Sequence, residues 1–217
     1  MLPHHIVTAV HFLTLNLTHR LPMPLPRVIG VSLFTGRVDT GQIRFALDSF
    51  VPSPADPPAM LLSWLEQYLH DRATLAGYRL GDAAALLRKM PGARRSPVLR
   101  ALAGQNDQPI IDMVALRGDG RPLPFASACA QAGLPCSAAS AADDFTGWMT
   151  GRRAALVHQL EVDVLASWRM AMHRLARQAA LGSRVTASID AHLATWLRQV
   201  DFPAGAIHLE SLARTTG

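Results

Sequence analysis

The sequence predicts an α/β fold in which a five-stranded mixed sheet carries helices on both faces. Two observations lead to it. Three runs rich in β-branched and apolar residues open the chain with turns between them, as neighbouring antiparallel strands do. After residue 50, helix-like and strand-like segments alternate, and such alternation places parallel strands under helical crossovers.

In chain order, HIVTAVHFLTL (5–15) reads as the first strand, and a proline-broken segment, RLPMPLP, follows it. RVIGVSLF (27–34) reads as the second strand, TGRVDTG as a turn and QIRFAL (42–47) as the third. MLLSWLEQYLHD (60–71) sets Leu61, Leu65, Tyr68 and Leu69 on one helical face behind the helix-start signal SPADPP. ATLAGY reads as a fourth strand, Asp82 opens the helix AAALLRKM, and IIDMVAL (110–116) begins a fifth strand. PFASACAQAG (124–133) reads as a helix stopped by Gly133, with a short helix near 144–150 and a long one over 153–180. Residues 184–199 form an amphipathic helix, and the remaining tail is expected to be loose. A boundary near Gly182 divides a core, 1–181, from a C-terminal helix and tail, 182–217, packed on it or extending from it.

At 217 residues the chain is long enough for one well-buried core, and 49% hydrophobic with 17% charged residues sets it apart from disordered chains. The formal charge is +5, and Lys89 is the single lysine among 21 basic residues. Arginine suits phosphate because its planar fork donates two hydrogen bonds at once, although a biased genomic composition also raises arginine. Cys129 and Cys136 have no second pair, so no zinc signature exists, and two packed thiols suit a reducing cytoplasm. The N-terminal stretch lacks a basic residue before its apolar run and is broken by His4, His5 and His11, unlike a signal peptide. No stretch reaches the ~20 apolar residues of a membrane helix, so a cytoplasmic protein without a membrane partner is expected.

Three late segments, IIDMVAL, AGLPC and QLEVDVLASW, stand in an order that resembles the DEDD 3′–5′ exonucleases. The likeness is to predicted exonucleases related to the proofreading domain of family B DNA polymerases, and it covers roughly residues 5–178. Glu161, Asp163, Val164, Leu165 and Trp168 fall at the spacings of that family's last helix. The resemblance implies an RNase H-like fold and four acids holding two divalent ions, Mg²⁺ or Mn²⁺, on a scissile phosphate. Asp163 matches the last acid. His158, five residues earlier, has the spacing of the branch that uses histidine to handle the water, whereas nearer relatives use a tyrosine where this chain has Gln159. Asp82 in GYRLGD matches the third acid, in a stretch where Arg79 and Gly81 depart from the family's pattern. In VHFLT, His11 takes the position of the first acid and Leu13 that of the second, while Thr14 keeps the threonine. Imidazole binds magnesium poorly and leucine binds nothing. The metal candidates are therefore Asp82 and Asp163, with His11 a weaker one, and Asp112 is expected to serve structure.

The stretch GARRSPVLR (Arg94, Arg95, Arg100), with Lys89, reads as a basic loop able to meet phosphates or simply to be solvated. Arg79, and Arg152 and Arg153 beside Trp148, are further candidates for a nucleic-acid strand. Three functions follow. The first is a divergent, catalytically impaired 3′–5′ exonuclease-family protein that binds nucleic acid, such as single-stranded DNA 3′ ends, or a DNA-processing partner. The second is an active exonuclease with an atypical metal site, in which His158, Asp163 and Asp82 would be catalytic. The third is a protein-interaction scaffold.

Overall fold

The computed structural model describes residues 5–15, 28–39, 42–69, 72–104, 108–178, 182–200 and 202–215. The proline-broken segment 20–26 lies outside them. Five strands form one sheet: β1 (His5–Thr14), β2 (Val28–Asp39), β3 (Gln42–Phe50), β4 (Thr74–Tyr78) and β5 (Ile110–Met113), in the order β3-β2-β1-β4-β5. β1, β2 and β3 are antiparallel neighbours, while β4 runs parallel to both β1 and β5. The expected mixed five-stranded sheet is present, and β1 is its central strand.

Strand alternation divides β1 between two layers. Val10 and Phe12 face a cluster built with α1 (Ala59–Tyr68), α2 (Leu80–Leu87) and α3 (Pro97–Leu102). Ala9 and Leu13 face the opposite side, where the 25-residue α6 (Arg153–Arg177) crosses the sheet. Two glycines of β2 permit the close crossing. A Cβ at Gly30 would come within 2.8 Å of Leu160, and one at Gly36 within 2.9 Å of Trp168. α4 (Phe125–Gln131) and α5 (Ala141–Met149) precede α6, and α5 starts with a capping box between Ser140 and Asp143.

Several segments differ from the sequence reading. β2 continues through Arg37 to Asp39 where a turn was expected at 35–41, because its pairing with β3 runs on to Asp39 opposite Gln42. β5 ends at Met113, short of residue 116. The basic loop 92–100 is instead a 3₁₀ turn at Ala93–Arg95 followed by α3, whose Val98, Leu99, Ala101 and Leu102 are buried. α2 begins two residues before Asp82, and its N-cap bonds come from Asp112, which accepts from the N–H groups of Leu80 (2.9 Å) and Gly81 (3.2 Å). The tail expected to be loose is α8 (Pro203–Thr215). It joins α7 (Gly182–Gln199) in covering α6, and Leu193, Leu197 and Leu212 enter a cluster with Trp168, Phe34 and Phe45. His208 on α8 is fully buried and contacts the carbonyl of Val162 at 2.9 Å. Among the described residues, no helix is long and apolar enough to cross a membrane.

Candidate functional site

β1 has an antiparallel neighbour on one side and a parallel one on the other, so its C-terminal end opens beside the β4–α2 turn. The carboxyl ends of parallel strands such as β1 and β4 are where open α/β sheets leave room for a ligand. A cleft of about 550 Å³ lies there, and its walls include His11 and Leu13 of β1, Tyr78 and Arg79 at the end of β4, Asp82 of α2 and Asp163 of α6. Residues from three distant parts of the chain thus meet. β1 carries His11 to the face crossed by α6, α6 brings Asp163 over it, and the bonds from Asp112 fix the first turn of α2.

The contacts of His11 and Asp163 define their chemistry. Ser137 N–H donates to Asp163 Oδ1 at 2.7 Å. The second oxygen, Oδ2, lies 3.6 Å from His11 Nε2, too long for a charge-assisted bond of about 2.8 Å. Ser167 Oγ donates to the Asp163 carbonyl at 2.9 Å and stands 3.5 Å from His11 Nδ1. With that hydroxyl proton committed, the tautomer that fits keeps the imidazole proton on Nδ1 and turns the Nε2 lone pair toward Asp163. Burial lowers the His11 pKa to about 4. Burial also raises the Asp163 carboxyl to about 7; the Ser137 bond opposes that rise, and the nearby charge of Asp144 adds to it. The separation alone would suggest an ion pair, yet both shifts favour neutral forms. Desolvation outweighs a contact this long, so acid and imidazole face each other largely uncharged between about pH 4 and 7.

Asp82 is committed differently. It is exposed, and its Oδ2 accepts from Arg79 Nε at 2.6 Å and from Arg79 Nη2. Arg79 occupies the left-handed backbone region at φ 56°, which lets β4 pass directly into α2. Leu13 is 5% exposed, packed with Leu156, Leu160 and Trp148. Among the described residues, no three His, Cys, Asp or Glu side chains are grouped to hold a metal ion.

His158 faces elsewhere. It lines an adjoining cavity of about 520 Å³ with Arg152, Cys136 and Ile207, and its Nδ1 is buried without a hydrogen-bond partner. Gln159 and Asp144 line both cavities. Arg153 lies over the ring of Phe50 at 5.6 Å, and Trp148 is a core residue whose Nε1 donates to the carbonyl of Pro52 at 2.7 Å. Lys89 is exposed beyond α2, and the side chain of Arg95 lies outside the described residues. Arg94 and Arg100 line a separate cavity of about 260 Å³ with Arg88.

Sequence reasoning passed over Asp144, which is 5% exposed, with an Oδ1 that has no partner and a pKa raised by burial. The available signal was its spacing four residues before Trp148, which puts both on the inner face of α5. Ser137 acts through its backbone N–H, and no residue pattern announces that. Cys129 is buried and Cys136 half-buried; both are free thiols, pushed upward in pKa chiefly by burial. No family model, curated protein or solved structure matches this chain.

Proposed function

We propose that the chain is a divergent member of the DEDD 3′–5′ exonuclease superfamily, of RNase H-like fold, that has lost metal-dependent cleavage and binds single-stranded nucleic acid. One observation carries the reading. His11, Leu13, Asp82 and Asp163, the four positions at which the resemblance sets the metal-binding acids, line a single cleft. The central position of β1 and the strand order β3-β2-β1-β4-β5 support the same fold.

The residues present do not fit a pair of magnesium or manganese ions. Hard cations need several ionised oxygens. Leu13 offers none, His11 is a neutral imidazole, Asp82 is held by Arg79, and Asp163 stays partly protonated up to about pH 7. The same neutralisation favours a phosphodiester, because a cleft with fewer ionised carboxylates repels phosphate less when no metal intervenes. The test is fluorescence anisotropy of the protein with a labelled single-stranded oligonucleotide, with EDTA present, across a salt series. Binding that weakens linearly in log salt is expected. Absence of binding at low salt would defeat the reading.

A further inference from the structure

Away from the cleft, the cavity of about 260 Å³ is lined by Arg88, Arg94, Arg100 and Ser96 over a floor of Ala93 and Leu99. No acidic residue is among them. Among the described residues, none of the three guanidinium groups lies within ion-pairing distance of a carboxylate. Ser96 is 5% exposed and its hydroxyl oxygen is buried without a hydrogen-bond partner. It directly precedes α3, yet its side chain makes no capping bond. That hydroxyl is closed to solvent, so the accessible donors of the cavity are the three guanidinium groups. Three forked donors around one small space match the oxygens of a phosphate group.

The geometry points to this cavity as a binding site for one phosphate group, supplied by the backbone of a single-stranded nucleic acid whose end enters the cleft. This rests on the nucleic-acid reading above. The choice of source comes from α2. Asp82 at one end lines the cleft and Arg88 at the other end lines the arginine cavity. They are six positions apart, about 9 Å along the helix axis and about 120° around it, so a strand joining them runs along and partly around α2 and spans at least about three nucleotides at about 3.4 Å each. The arginines would hold the strand in register without touching its bases.

The test compares the full-length protein with the variant Arg88→Ala/Arg94→Ala/Arg100→Ala and with Ser96→Ala. One arm measures binding of fluorescein-labelled oligothymidylate across a salt series. The other measures binding of inorganic phosphate by calorimetry. The three arginines are exposed, so the triple variant should keep the wild-type melting temperature. It should bind oligothymidylate about tenfold or more weakly, with a log–log salt slope shallower by about 0.7, the release expected from one phosphate. Ser96→Ala should lose less affinity and keep the slope. Arg94→Lys, which keeps the charge and loses the fork, should fall between. Equal oligothymidylate binding by wild type and triple variant would overturn the site and leave the nucleic-acid reading standing. Wild type that ignores oligothymidylate but binds phosphate through these arginines would overturn the polynucleotide source and keep the phosphate chemistry. Binding of neither would overturn both.

Discussion

Asp163 carries a buried carboxyl whose pKa is raised to about 7, against an ordinary value near 3.8. Between those values the folded chain keeps a proton that the unfolded chain has released, so stability falls as pH rises through this window. Above pH 7 the full penalty is present, on the order of a few kcal/mol as an upper bound. Asp163→Asn keeps an oxygen for the Ser137 N–H and removes the charge. It should melt above wild type at pH 8, with the gap closing toward pH 5. A gap independent of pH would contradict the burial argument. His11 works in the opposite sense: its lowered pKa destabilises the folded state at low pH, and that penalty fades as pH rises from about 4 to 6.5. Leu13 makes a second prediction at this scale. It is packed rather than poised, so Leu13→Met should cost less than about 1.5 kcal/mol. Leu13→Glu should cost several kcal/mol for an unpaired buried acid. Urea denaturation of the two variants checks this, and equal small losses would mean the position is not core.

At the scale of elements, α8 is where the sequence misled most. Its buried positions Ala204, His208 and Leu212 are spaced by four, but the polar His208 hides the stripe from a hydropathy pattern. Burial of that histidine is legible only once α6 supplies the Val162 carbonyl. Leu212→Ala should therefore destabilise the whole molecule by about 2–5 kcal/mol, measured as a shift in the urea midpoint. A change below half a kcal/mol would restore the picture of a loose tail. The basic segment 92–100 failed for a related reason. Arg94, Arg95 and Arg100 gave it a loop-like polarity, while Val98, Leu99 and Leu102 are too few to announce a helix before packing is known. β1, most of β2 and α6 were readable because each is long and rich in apolar residues, although α6 also buries Asp163, Ser167 and Arg169.

The whole molecule explains which parts of the site were legible. His11, Leu13, Asp82 and Asp163 could be paired in advance because a motif order implied their meeting. Asp144, Ser137 and Arg88 could not, since each depends on how α5, the 134–140 loop and the end of α2 lie against the sheet. The architecture keeps a cleft beside the carboxyl ends of β1 and β4 and lines it with an imidazole whose pKa burial lowers, a leucine and a carboxyl whose pKa burial raises to about 7. On the proposed reading, that composition leaves room for phosphate and offers hard cations too few ionised oxygens. Degradation of 3′-labelled single-stranded DNA in Mg²⁺ and in Mn²⁺, with Asp163→Ala beside wild type, tests this most directly. The account predicts that both proteins leave the substrate equally intact in either metal; robust wild-type degradation that Asp163→Ala abolishes would contradict it.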